Sequence, residues 1–374
     1  MFTVRTIVCK LAVIPDTEKR IEDTMRAFAD ACNFVAEWGR TNKESNQFIL
    51  HRACYRDVRA KFGLSANLAV RAIARVAPKL AKIKTRNSVF QPTSVDYDAR
   101  IFTFDEKNWL VGITLLGGRS KFALSIGQYQ RDALAGKTPK SAVLTKRGRV
   151  FFLGIQVDDG NIPILPTDKV IGVDMGLRDI AVLSDGTRFS GTKLTAQRMQ
   201  RAKVRRSLQS KAARGTRTTR RNCRQLLRRL KGCEARFHRH VNHEISRKIV
   251  NQAVAQNAAI AIEDLTGIRE RTNKKLCHKQ RGLHNSWAFY QLRAFLTYKS
   301  VLAGVSLNVV DPAYTSQTCA CCGQRGKRKA KVFACTSCGV FDADENAAKN
   351  IAQLGAPVNR PEKSDALDSH CILV

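Results

Sequence analysis

KVIGVDMGLRDIAVLSDGTRF, residues 169 to 189, opens with a short apolar run from Val170 to Val173, then places Asp174 and Gly176 before a second apolar run. A tight Ser184-Asp185-Gly186-Thr187 turn leads into a third run. Short apolar runs bounded by turn formers read as buried strands, and the turn makes the three a β-meander. Asp174 then ends a strand, its backbone held by the sheet and its carboxylate exposed at the sheet edge.

Residues 193 to 240 are helical in composition but carry 17 lysines and arginines against one acid, Glu234. An ordinary solvated face mixes both signs, so a polyanionic partner is expected. Arginine dominates, and its planar fork grips phosphates in two places and stacks on bases, which favours structured RNA or a heteroduplex. Arg205, Arg206, Arg220, Arg221, Arg228 and Arg229 are the candidate contacts. The alternative is a disordered basic arm, because Leu208, Leu226, Leu227 and Leu230 are sparse for a helical pair. HEISRKIVNQAVAQN, from residue 243, then reads as an amphipathic helix, NAAIAIED as a buried strand ending at Glu263, SWAFYQLRAFLTYKSVLAG as a helix and VSLNVV as a strand. After a cysteine-rich insert, ADENAAKNIAQLG reads as a last helix with Asp344 at its start. Residues 356 to 374 read as a disordered tail.

Upstream, residues 2 to 13 read as a strand with alternating Val4, Thr6 and Val8. Ile21, Met25, Phe28, Cys32 and Val35 then form one apolar stripe of a helix, and further helices are expected over 46–62 and 66–83, with Gly63 as a stop and Ser65 as an N-cap. Strands are expected at 100–104, 109–115, 121–126 and 150–157, with turns at Gly117-Gly118 and Lys146-Arg147-Gly148. With the N-terminal strand they make a β-barrel interrupted by helices. Residues 158 to 168, with three aspartates, two prolines and a glycine, read as a linker.

The 374 residues suggest two or three domains, and 44% hydrophobic with 26% charged residues excludes wholesale disorder. No apolar run approaches the roughly 18 residues of a membrane span. A formal net charge of +34 calls for a polyanion, nucleic acid above all. The first residues lack the pattern of a secretory signal, so a reducing, cytoplasmic and nucleoid-associated setting is expected. In that setting the seven cysteines outside the 319–338 cluster are expected to be mostly buried thiols. The final four residues, from Cys371, formally fit a prenylation box, but Asp365, Asp368 and His370 precede them where basic residues help anchoring.

Two constellations carry chemistry. Asp174 and Glu263 at strand ends and Asp344 at a helix start can converge, and such an anionic cluster calls for cations. Two Mg²⁺ or Mn²⁺ ions held there would activate water and stabilise a leaving oxygen in phosphodiester hydrolysis. Each acid also has a structural reading: Asp174 as a turn residue, Asp344 as an N-cap, and Asp264 in place of Glu263 as the one facing the site. Cys319, Cys322, Cys335 and Cys338, in TCACCG and CTSCG, form two CxxC pairs each closed by glycine, which suit one structural Zn²⁺. Cys321 is read as a bystander. The intervening RGKRKAK, with Lys327, Arg328 and Lys329, reads as a basic hairpin tip for phosphate. His238, His240 and His243 read as surface or core residues rather than ligands.

These residues together resemble the TnpB (OrfB) family, nucleases encoded by insertion sequences and related to the type V CRISPR effectors. The carriers are GVDMGL with Asp174, IEDL with Glu263, YTSQTCACCG before the knuckles and DENAAKNI with Asp344. The match runs from about residue 170 to 354 and extends to the N-terminal half by layout only. The resemblance implies an α/β and β multidomain chain: a RuvC-like, RNase H-type domain over 168–316 and 341–355, a zinc ribbon over 317–340, an OB-like wedge barrel over 1–14 and 90–160, and a helical recognition domain over 15–89. It also implies catalytic acids at Asp174, Glu263 and Asp344 rather than Asp342, and an Mg²⁺-dependent DNA endonuclease of a transposable element. A guide RNA would direct it to double-stranded DNA beside a short flanking motif, with a monomer the expected state. The competing readings are a catalytically silent RNA-guided repressor and a transposase-like strand-joining enzyme.

Overall fold

The computed structural model describes residues 2–82, 87–267 and 289–356. The chain divides between Asn161 and Ile162 into two compact units.

The first unit is built on β1 (Phe2–Ala12), three helices, α1 (Pro15–Thr41), α2 (Gln47–Phe62) and α3 (Ala66–Leu80), and then β2 (Ser94–Asp98), β3 (Phe102–Asp105), β4 (Leu110–Leu115), β5 (Gly118–Ser125), α4 (Gln128–Leu134), β6 (Ser141–Arg147) and β7 (Val150–Asn161). Its strands form one antiparallel sheet in the order β2-β6-β7-β1-β5-β4-β3. The sheet curls into a half-barrel and stays open, with β2 and β3 as its two edges, where a barrel was expected. Period-two alternation places Ile7, Cys9 and Leu11 of β1 in the core and leaves Val4 and Val8 outside. The α1 stripe is fully buried, from Ile21 through Val35, against α3 and the sheet. Gly63 ends α2 in the left-handed conformation. Ser65 precedes α3 as its N-cap residue but makes no side-chain capping bond.

Two strands, β2 and β6, are not among the expected ones; in β2, Val95 and Tyr97 alternate inward while Arg75 of α3 clamps Asp96 through two bonds, of 2.5 and 2.6 Å. The expected linker begins later, because β7 continues to Asn161 and Asp159 is held by Arg5 and by Lys137 at 3.3 Å.

The second unit carries β8 (Val170–Asp174), β9 (Asp179–Leu183), β10 (Arg188–Ser190), three helices, α5 (Thr192–Arg214), α6 (Arg217–Leu230) and α7 (Cys233–Ala255), then β11 (Ala259–Glu263), α8 (Phe289–Leu302) and β12 (Leu307–Val310). The sheet order is β10-β9-β8-β11-β12, an antiparallel meander joined to a parallel trio by β8. Ile171, Val173, Ile260 and Ile262 point to one face, where Ile245 and Ile249 of α7 and Leu292 and Leu296 of α8 cover them. The other face is lined by small residues and receives α9 (Ala343–Gly355). Contact is close: a Cβ on Gly172 would lie 2.0 Å from the Ala348 carbonyl oxygen, and one on Gly355 would lie 2.3 Å from the Cβ of Ala261. Between β12 and α9, β13 (Lys327–Lys329), β14 (Val332–Cys335) and β15 (Gly339–Asp342) form a three-stranded antiparallel sheet over Phe333. Among the described residues, no helix is long and apolar enough to cross a membrane.

Candidate functional site

The alternation that buries Ile171 and Val173 on one face turns Gly172 and Asp174 to the other, and in β11 it does the same for Ala261 and Glu263. β8 and β11 pair in parallel with Val173 opposite Ile262, so Asp174 and Glu263 end neighbouring strands on the same side of the sheet. That side is where α9 starts. Asp342 is the N-cap of α9 and accepts from the backbone N–H of Asp344 and of Glu345, both at 3.0 Å, so Asp344 is left free of the capping role. Asp264 turns the opposite way and accepts from Arg293 of α8 at 2.6 Å. The capping role thus falls to Asp342 and not Asp344, and Asp264 does not face the side that Glu263 shares with Asp174.

Electrostatics tie the three acids together. Burial pushes the Asp174 carboxyl up to about 7, and the nearby Glu263 and Asp344 charges add to the shift. Glu263 is also raised by burial, against the hydroxyl of the buried Thr315, which donates to its Oε1. Arg328 of β13 lies over the group and donates to Asp344 Oδ1 at 2.7 Å, with Lys331 Nζ 4.0 Å from Asp344 Oδ2. Lys331 also binds Asp179, and Arg188 reaches Asp342 at 3.0 Å. Asp174, Arg328 and Asp344 line an open cleft of about 270 Å³. Two carboxyls raised by burial, beside a third acid that draws in a guanidinium, have the charge demand of a cation site.

The four thiols of Cys319, Cys322, Cys335 and Cys338 lie within 4.8 Å of one another, the only ligand group so close among the described residues. Two backbone loops make this possible. Gly323 and Gly339 take positive φ (73° and 96°) immediately after each CxxC, turning both thiols of a pair inward. The thiols compete for protons: the hydrogen bond with Cys322 pushes Cys338 up to about 12, while Cys319, despite burial, is brought to about 7 by the N–H groups of Cys322 and Cys321. Four sulfur donors in a closed tetrad fit Zn²⁺. Cys321 is exposed and outside the tetrad.

Sequence reading overlooked the residues that join these two centres. The buried Asn346 bonds the first knuckle through Ala320 N–H (2.9 Å) and Thr318 O (2.7 Å), and the buried Asn350 bonds Thr315 O (2.8 Å) and Thr318 O (2.7 Å). Thr315 therefore links helix, knuckle and Glu263 in one network, and the asparagine spacing i, i+4 on α9 was its visible signal. Arg328, expected at a phosphate, is found at the carboxylates; Lys327 and Lys329 are exposed. The six arginines expected on the basic segment are all exposed on α5 and α6, which bury among them only Cys223. His238 is buried, and His243 stacks on Phe295 at 3.8 Å. Of the seven cysteines outside the cluster, Cys9, Cys32, Cys54 and Cys223 are buried and Cys233 is partly exposed. Cys277, Cys371 and the expected disordered tail from residue 357 onward lie outside the described residues.

Two family models match the chain from the last strand of the first unit through the residues that hold this site. Residues 155–267 match the OrfB model, described as a probable transposase, and residues 289–351 match a Cas12f1-like TNB domain. Over these residues the chain is similar to the TnpB (OrfB) family and to Cas12f1-like proteins. It is 30% identical over 60% of its length to a CRISPR-associated endodeoxyribonuclease Cas12f1 of Sulfoacidibacillus thermotolerans, covering 54% of that protein. It is 35% identical over 37% of its length to a TnpB-like protein of Methanocaldococcus jannaschii, covering 51% of it. It is 29% identical over 62% of its length to the putative RNA-guided DNA endonuclease InsQ of Escherichia coli, covering 60% of it. The chain thus spans between half and three fifths of the length of these relatives. Its fold is similar to that of Cas12f1 in an sgRNA–target DNA complex, with a TM-score of 0.61 at 15% identity over 90% of this chain and 82% of the other.

Proposed function

We propose that this chain is an RNA-guided, metal-dependent DNA endonuclease of a transposable element, cutting double-stranded DNA beside a short flanking motif. The observation that carries the reading is the placement of Asp174 and Glu263 at adjacent parallel strand ends on the face where Asp344 begins α9. In this reading the sheet and α9 are a RuvC-like nuclease core over 168–316 and 341–355. The knuckles over 317–340 are a zinc ribbon, the curled sheet over 1–14 and 90–160 is an OB-like wedge, and the helices over 15–89 recognise nucleic acid. Asp174, Glu263 and Asp344 would hold two Mg²⁺ or Mn²⁺ ions, which supply an activated water and charge stabilisation at the leaving oxygen. Thr315 orients Glu263 by its hydrogen bond. Arg328 balances the acid charge and, on release from Asp344, is placed to meet a phosphate. Cys319, Cys322, Cys335 and Cys338 would hold a structural Zn²⁺, which fixes the hairpin that carries Arg328.

The names of the relatives support the substrate class, and the +34 charge supports two nucleic-acid partners, a guide RNA and its DNA target, in a cytoplasmic monomer. The test is cleavage by Asp174→Ala and Glu263→Ala variants with the RNA that copurifies. Loss of cutting in Mg²⁺ with retained guided binding is expected, because a metal ligand is removed without touching the phosphate-binding surface. A variant that cuts at the parental rate overturns the assignment.

A further inference from the structure

The basic segment contains a built cleft of about 280 Å³ between α5, the end of α6 and the start of α7, close to the roughly 300 Å³ at which small-ligand pockets begin. Val204, Leu230 and Cys233 supply apolar walls. Glu234, the one acid among the 17 cations, is held at its rim by Arg198 at 3.4 Å and Arg205 at 3.2 Å. Gln197 and Arg201 stand one helical turn apart on α5 and also line the cleft, and each has a buried atom without a hydrogen-bond partner, Gln197 Oε1 and Arg201 Nη1. Phe237 packs under Arg201, with the guanidinium carbon 5.5 Å from the ring centre.

An orphaned donor and an orphaned acceptor side by side are costly when buried, and an occupant that offers the complementary pair removes the cost. A phosphate offers acceptors only, and Gln197 Oε1 and the Glu234 carboxylate would repel it. The edge of a nucleobase carries acceptor and donor together, and its faces suit apolar walls. We infer that this cleft receives a single unstacked nucleobase of RNA, read at its edge by Arg201 and Gln197, while the exposed arginines of α5 and α6 hold the neighbouring phosphates.

The inference rests on the proposal that the chain binds RNA, and the experiment separates the two. The full chain is titrated by fluorescence anisotropy with a single-stranded RNA of about 16 nucleotides, roughly one binding site, and with an abasic ribose-phosphate strand of equal length and charge. Arg201→Lys and Gln197→Leu are measured beside it; both keep the formal charge, and thermal melting shows whether they are folded. The parent is expected to prefer the base-bearing strand by about tenfold. Each variant should lose most of that preference while binding the abasic strand as the parent does. Base-bearing RNA, and not the abasic strand, should also protect Cys233 from alkylation. Equal binding of both strands by the parent, or an undiminished preference in both variants, overturns the base pocket and leaves RNA binding standing. Failure to bind either strand overturns both.

Discussion

The guanidinium of Arg328 donates to Oδ1 of Asp344 at 2.7 Å, so the cysteine-rich insert reaches back and covers the carboxylates with its own positive charge. Arg328 holds down the protonation of both Asp174 and Glu263. Replacing it by methionine should destabilise the metal-free protein at pH 8 by about 1 kcal/mol, a shift of a few degrees in Tm. Added Mg²⁺ should narrow the gap between variant and parent. Equal melting curves in chelator would remove Arg328 from the charge balance of the site.

The pH dependence of the metal-free protein follows from Asp174. Its carboxyl is raised to about 7 when folded, from an ordinary value of 3.8, mainly by burial. Between those values the folded state holds a proton that the unfolded state has released, so this group's contribution makes stability fall as pH rises and level off above about 7. Denaturation midpoints in EDTA across this window should show the decline, and Asp174→Asn should flatten it. Mg²⁺ should abolish it in the parent. A decline of the same size in the asparagine variant would assign it to other groups.

Gly172 admits α9 to the sheet, and alanine there would put its Cβ 2.0 Å from the Ala348 carbonyl. Backbone cannot yield as a side chain can, so Gly172→Ala should cost about 3 kcal/mol, the upper end of overpacking penalties, and displace Asp344 from Asp174. Urea denaturation should show the loss. Gly127→Ala, whose Cβ would meet only Gln130 at an ordinary 3.5 Å, is the control and should be near neutral.

Metal content should separate the five clustered cysteines. Cys335→Ser should lower bound zinc and loosen the C-terminal part, since a structural site contributes folding free energy directly. Cys321→Ser should leave zinc unchanged, because that thiol lies outside the tetrad. Elemental analysis decides, and a parent protein without zinc would contradict the assignment.

Neutralising Arg220, Arg221, Arg228 and Arg229 together should weaken RNA binding and flatten its salt dependence by about 0.7 in slope for each lost phosphate contact on a single strand. Filter binding at several salt concentrations measures it. An unchanged slope would show that α6 is not the RNA grip.

Much of the sheet was legible because its signals are local. The apolar runs before Asp174 and Glu263 are short, β-branched and bounded by turn formers, and the α1 stripe repeats at helical spacing. β2 escaped because SVDYD puts aspartates on its outer face, and only Arg75 and the pairing with β6 make that tolerable. Barrel closure could not be read, since it depends on whether two edges meet far apart in the sequence. At the site, spacing marked the four cysteines, while Asp174, Glu263 and Asp344 were singled out from their neighbouring acids by the family resemblance rather than by any local pattern. The turning of Arg328 onto Asp344 is a product of tertiary packing that no local pattern announces, and the network of Asn346, Asn350 and Thr315 left only the i, i+4 asparagine spacing as a trace.

The parallel pairing of β8 with β11, capped by α9, also has a consequence for biosynthesis. A parallel pair needs a long crossover, and loop closure must be met before such contacts reward it. As the chain leaves the ribosome, Asp174 emerges early, while Glu263 and then the helix bearing Asp344 arrive last. Until α9 beds onto Gly172, the nascent polypeptide carries scattered carboxylates and an uncovered sheet face, so it is prone to self-association. On the proposed function, competence is expected to lag behind synthesis, because the arginine-rich helices are made before the helix that bears Asp344.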